Sequence, residues 1–129
     1  MRSFIILLGL LATPATASDQ FDFVCKGEYR ERTNASWTLI ESRYRIDLAT
    51  GAWCNGTCTE VRKIISIDPG EFVLDRTAPG DGDSPYSSHE ISRTAGTYRL
   101  FASDGHGSYW EEQGRCEPAP FTGMPEQKF

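Results

Sequence analysis

From Tyr44 to Cys58 the sequence reads YRIDLATGAWCNGTC, which places an alternating strand, a glycine turn, a tryptophan and two of the four cysteines within fifteen residues. Tyr44, Ile46 and Leu48 share one parity and Arg45 and Asp47 the other, the period-two pattern of a half-buried strand. Gly51 supplies a residue that takes positive φ without steric cost, and Trp53-Cys54 begins a short return strand. The same grammar recurs 45 residues later, where Ile91, Gly96 and Tyr98 match the spacing of Ile46, Gly51 and Trp53. Two hairpins with one turn type are expected, each a three-residue loop with a glycine bulge.

The rest of the chain speaks the same language. Phe21, Phe23, Cys25, Gly27 and Tyr29 alternate with Asp22, Lys26, Glu28 and Arg30, apart from Val24. A longer strand follows from about Trp37 to Leu48, its Glu41, Arg43, Arg45 and Asp47 face suited to cross-strand ion pairs. Glu60–Ile67 and Glu71–Asp75 are β-branched and apolar, and Asp68-Pro69-Gly70 between them predicts a type II turn. Thr77–Ser88, rich in Gly, Pro, Asp and Ser, reads as an exposed loop. His89–Arg93 and Thr97–Ala102 make a further hairpin, and the turn Ser103–Gly107 leads to a last strand from Ser108 to Cys116. Beyond it, Pro118, Pro120 and Pro125 predict an irregular tail over 117–129, with Phe121 and Phe129 available to pin it. No segment carries an apolar stripe of helical period. The expected fold is all-β: a small antiparallel up-and-down barrel or sandwich of seven or eight strands.

Met1-Arg2-Ser3, the apolar run Phe4–Ala12 and the A-x-A site ending at Ala17 predict a signal peptide over residues 1–17. The run is far short of the roughly 20 residues that a membrane-spanning helix needs. Residues 18–129 are then a single β domain in the periplasm or outside the cell. Four cysteines in such a compartment favour disulfides. Cys54 and Cys58 flank the flexible turn Asn55-Gly56-Thr57, and Cys25 and Cys116 lie on the first and last strands, neighbours if the sheet closes on itself. The expected pairs are therefore Cys25–Cys116 and Cys54–Cys58. The alternative makes Cys54-x-x-x-Cys58 a thiol pair that cycles or binds copper, with His89 or His106 completing the site.

The net charge of −5 argues against nucleic acid or an anionic membrane as partner. It suits a cationic protein. Candidate binding residues are those of the two loop regions: Asp81, Asp83 and Tyr86 in the first, and Ser103, Asp104, His106 and Tyr109 in and around the second. Asp81-Gly82-Asp83-Ser84, with Asp75 and Glu90, offers oxygen donors without the spacing of an EF-hand loop. No metal site or cofactor is expected. His106 with Asp104, and Glu111 with Glu112, invite an acid–base reading, which turn chemistry at Asp104-Gly105 replaces. Glu112 shares parity with Trp110 and Cys116, and a bulge at Gly114 is expected to shift the register and expose it. No nucleophile motif or phosphate-binding glycine loop is present, so no catalytic residue is assigned.

Several fragments together resemble a pattern of small exported bacterial proteins of unknown function: F-x-C-x-G at Phe23–Gly27, YRIDL at Tyr44–Leu48, W-C-x-x-x-C at Trp53–Cys58, and G-x-C at Gly114–Cys116 followed by Pro-Phe. The resemblance implies compartment and fold, and no activity. A fainter similarity is to the periplasmic β-barrel inhibitors of c-type lysozyme, which open with an aromatic-x-Cys segment and carry a Ser-Gly-x-x-x-x-Tyr loop. Ser103 and Tyr109 stand at that spacing, without the early glycine or the basic residue before the tyrosine. It implies a binding or inhibitor module, the reading adopted here. The alternatives are the thiol or copper protein and a barrel that binds a small ligand.

Overall fold

A computed structural model describes residues 19–32, 36–77 and 84–125. The expected signal peptide lies outside the described residues, as do Asp81, Asp83 and Phe129. The strands are β1 (Gln20–Glu31), β2 (Thr38–Asp47), β3 (Ala52–Asn55), β4 (Arg62–Lys63), β5 (Ser66–Ile67), β6 (Glu71–Thr77), β7 (Tyr86–Ser92), β8 (Thr97–Ser103) and β9 (Tyr109–Ala119). There is no helix among the described residues.

All nine strands form one antiparallel sheet, in the order β4-β3-β2-β1-β9-β8-β7-β6-β5, curled into a half-barrel. The chain walks outward from β1 to one edge at β4, then reappears at the other edge in β5. Only Ile64 and Ile65 separate these two edges in sequence, so the sheet must curl until they approach. Ile64 N–H donates to the Gly51 carbonyl on one side of the seam, and Ile65 N–H to the Val73 carbonyl on the other, both at 2.8 Å. This corrects the expectation of one continuous strand over Glu60–Ile67. The segment is the crossing point, and the split raises the strand count to nine.

The core lies on the concave face. Phe21 and Phe23 of β1 reach Phe72 of β6 across the interior, with ring centroids 6.2 and 6.0 Å apart. Tyr44, Ile46, Trp53, Leu74, Ile91 and Tyr98 complete a buried cluster around Cys25 and Cys116. Both expected disulfides are present, Cys25–Cys116 and Cys54–Cys58, and no cysteine is free. Cys25 and Cys116 stand directly opposite in the β1–β9 ladder, as closure by the first and last strands requires.

The two homologous hairpins do share one turn, of four residues rather than three. Asp47 pairs with Ala52 across Leu48–Gly51, and Ser92 and Thr97 flank Arg93–Gly96. Gly51 and Gly96 both have φ of 66°. In each, the last strand residue caps the backbone three positions on: Thr50 N–H donates to Asp47 Oδ1 and Ala95 N–H to Ser92 Oγ. The Asp68–Glu71 turn is not type II, since Gly70 does not take the positive φ that type requires. Asp68 Oδ1 instead accepts from the N–H groups of Gly70 and Glu71, an Asx-turn that needs no left-handed residue.

β9 runs three residues beyond Cys116. Pro118 is tolerated because that stretch has only β1 as a ladder partner, the pairing with β8 ending at Arg115. The following tail is held by polar contacts. Thr122 donates through N and Oγ1 to the fully buried Asp22 carboxylate, Arg43 pairs with the same group at 3.1 Å, and Arg45 donates to the Gly123 carbonyl. Alternation put Asp22 on the outer face, and the tail covers it there.

Candidate binding sites

The register through Gly114 is unbroken on both sides, so no bulge lies there and Glu112 is buried, 8% exposed. The bulge is at Leu74, between Val73 and Asp75. Glu112 is satisfied within the concave face: Trp110 Nε1 donates to it at 2.8 Å and Tyr98 Oη at 3.5 Å. Trp110 in turn stacks on Tyr29 with centroids 4.4 Å apart. Burial, reinforced by the Glu112 charge, pushes the Tyr98 phenol up to about 12 and raises Tyr44 further. Gly114 faces Gly27, and a Cβ on Gly114 would lie 2.8 Å from the Tyr98 ring. The glycine pair is what admits that ring.

Beside this network, His89 on β7 is 3% exposed. Its ring meets Tyr44 edge-on at 5.0 Å and Trp53 at 5.6 Å, and its Nε2 has no hydrogen-bond partner among the described residues. Burial lowers its pKa to about 4, against an opposing pull from Asp75, with Arg62 adding to the fall. His89 lines a cavity of about 220 Å³ together with Trp53, Asn55, Arg62, Asp75 and Ser87.

The convex face carries a second feature. Tyr86, Ser103 and Tyr109 fall in one register row across β7, β8 and β9. Phe101 stacks between the two tyrosines, with centroids 5.1 Å from Tyr86 and 5.6 Å from Tyr109. Next to this ladder is a groove of about 280 Å³ whose lining includes Trp37, Tyr86, Phe101, three carboxylates (Glu90, Glu111 and Glu112) and one cation, Arg99. At one side the Arg30 guanidinium lies 4.4 Å from the Trp37 ring centroid and donates to Glu111 at 2.7 Å. At the other, Arg76 pairs with Glu90.

The structure thus brings Tyr86, Ser103 and Tyr109 together, with Asp104 and His106 on the turn beyond them. Tyr86 stands on a strand rather than in a loop. Asp104 is occupied with the turn: its Oδ1 accepts from the N–H groups of His106 and Ser108, bonds that hold its carboxyl below the usual range. Asp75 and Glu90 do not converge, because Asp75 opposes concave-facing His89 while Glu90 opposes Arg99 on the convex side. Among the described residues no three His, Cys, Asp or Glu side chains form a metal-binding group. Sequence reasoning missed Trp37 and Phe101, and raised Glu90 only as an oxygen donor for a cation beside Asp75. Phe101 was detectable as an aromatic residue sharing parity with Arg99 and Ser103 on an otherwise polar face.

A wider, open concavity over the outer face of β2, β1, β9 and β8 has a volume of about 970 Å³. Leu39, 87% exposed, stands on it. Its other side chains are of mixed charge, and Lys26–Glu41 and Glu28–Gln113 are already paired across strands. Its lining holds a single aromatic residue, the buried Tyr98, and its charges show no sign preference.

No protein-family model matches this chain, and neither the curated proteins nor the solved structures contain a significant match.

Proposed function

We propose that this protein is a non-enzymatic binding module of the periplasm or the cell exterior, and that it captures a basic partner protein on its convex face. Two disulfides suit an oxidising compartment, and the net charge of −5 favours encounter with a cation. The observation that carries the reading is the groove between Trp37 and Tyr86, walled by aromatic rings and flanked by Glu90 and Glu111. A guanidinium or ammonium is attracted both to an aromatic face and to a carboxylate. Arg30 already makes that pair of contacts internally with Trp37 and Glu111, and a partner's Arg or Lys would repeat them further along the groove. The like spacing of Ser103 and Tyr109 to the loop of c-type lysozyme inhibitors makes a c-type lysozyme the first partner to try.

The test is binding of the immobilised protein to a c-type lysozyme and to two unrelated basic proteins, with an acidic protein as control. Saturable binding to at least one basic protein, weakening as salt rises, is expected. Absence of saturable binding to all three at low ionic strength would overturn the proposal.

A further inference from the structure

On the concave side, the cavity at His89 joins both edges of the curled sheet. Arg62 comes from edge strand β4, and Asp75 from β6, one strand in from the opposite edge. The edge strands β4 and β5 are two residues each, too short to extend across this end of the seam. Arg62 and Asp75 thus bring a guanidinium and a carboxylate to the lining of one cavity. Asp75 Oδ2 accepts from Ser87 Oγ at 2.7 Å, which fixes the carboxylate in place. Arg62 lies over the Trp53 ring, 5.6 Å from its centroid, and its guanidinium also donates to exposed Glu60.

His89 lines the same cavity, more than nine-tenths buried and with no partner for its Nε2 among the described residues. A buried polar atom without a partner costs on the order of 1–3 kcal/mol. The fold leaves this one beside a cavity whose other polar groups are of both signs. Ligand sites have that character: a few convergent polar groups set in an apolar lining, here supplied by Trp53, Leu100 and Ala102.

We infer that this cavity binds a small zwitterion of the α-amino-acid type, its carboxylate on Arg62, its ammonium on Asp75 and a polar atom on His89 Nε2. The volume of about 220 Å³ limits the ligand to a molecule of that size. The opposed charges select a zwitterion over a simple anion or cation, since either alone would leave one charge unmatched. The site shares Ser88, Leu100 and Phe101 with the lining of the groove proposed for a protein partner, but its own charged groups, Arg62, Asp75 and His89, are not part of that groove, so it is tested separately.

The chain has two histidines, and His106 is on an exposed turn away from this cavity, so it serves as an internal control. The measurement is the proton NMR shift of the His89 ring during titration of the intact disulfide-bonded protein with L-alanine, L-serine and L-glutamine, and separately with acetate and methylammonium. At least one amino acid is expected to shift His89 saturably and leave His106 unmoved, with a Kd of about 1 mM or tighter. Acetate and methylammonium should bind at least about tenfold more weakly. Arg62→Gln and Asp75→Asn should each weaken the amino acid about tenfold or more, with the His89 resonance otherwise showing a folded protein. The inference is overturned if none of the amino acids moves His89, if His106 moves equally, if acetate or methylammonium binds as well as the zwitterion, or if folded Arg62→Gln and Asp75→Asn bind as the parent does.

Discussion

The indole N–H of Trp53 on β3 donates to the Leu74 carbonyl on β6 at 3.0 Å, buried from solvent, although these strands stand second from opposite edges of the sheet. The bulge at Leu74 explains why that carbonyl is available: Leu74 has no partner in the register, Val73 pairing with Glu90 and Asp75 with His89. One side chain thus ties the two edges where the backbone ladder does not.

Trp53→Phe keeps an aromatic ring and removes the donor. It is expected to lower stability by about 2–3 kcal/mol, most of it from leaving a buried acceptor unpaired. Urea denaturation should show a lower midpoint at an unchanged slope.

The two disulfides should differ in weight. Cys25–Cys116 closes a separation of 91 residues and Cys54–Cys58 one of 4. Loop-closure entropy gives about 4–5 kcal/mol for the first and about 2 for the second. Paired alanine substitutions, compared by thermal and urea unfolding, are expected to show the long bridge as the larger loss.

Gly27 and Gly114 are expected to tolerate no side chain. A Cβ on Gly114 would stand 2.5 Å from Gly27 Cα and meet the Lys26 carbonyl as well, and one on Gly27 would meet the Gln113 carbonyl. These are backbone atoms of the two central strands and cannot turn aside. Gly114→Ala should cost about 3 kcal/mol or more, read as a fall in the unfolding midpoint or in soluble yield.

His89 gives the fold an acid-sensitive element. The folded protein protonates it at about 4, whereas an unfolded chain does so near its ordinary value of about 6.5. Between those values the unfolded state binds more protons, so stability rises with pH there. The contribution is complete above about pH 6.5, is lost as pH falls toward 4, and amounts to about 3 kcal/mol. His89→Gln should flatten that part of the curve when unfolding free energies are measured from pH 4 to 7. An equal slope in both proteins would contradict it.

Alternation and glycine placement make most of the sheet legible in the sequence. Phe21–Tyr29 and Tyr44–Leu48 declare their inner faces, and Gly51 and Gly96 their turns, because period two and positive φ are local properties. Pairing of the first and last strands gave Cys25–Cys116, and the flexible turn Asn55-Gly56-Thr57 gave Cys54–Cys58. What local pattern does not carry is long-range closure. Ile64-Ile65 looks like the middle of a strand because β-branched residues suit either an edge or a crossing, and only the whole topology shows which. Glu112 was read as needing escape from the core, since its partners Tyr98 and Trp110 come from register and not from neighbouring sequence alone. Of the candidate site, Tyr86, Ser103 and Tyr109 were found by reading turns and spacing. Phe101 and Trp37, which turn that row into an aromatic groove, join it only through strand pairing.

The most direct test of the binding account is the affinity of a captured basic protein for the parent chain and for Tyr86→Ala and Glu90→Gln, measured by titration calorimetry at low salt and again at about 0.15 M, where the screening length is about 8 Å. Both side chains lie at the convex groove and outside the core, so the variants should unfold within about 1 kcal/mol of the parent. The account predicts that each substitution weakens binding at least about tenfold, the loss a desolvated aromatic or charged contact typically brings. Unchanged affinity in both folded variants would contradict it.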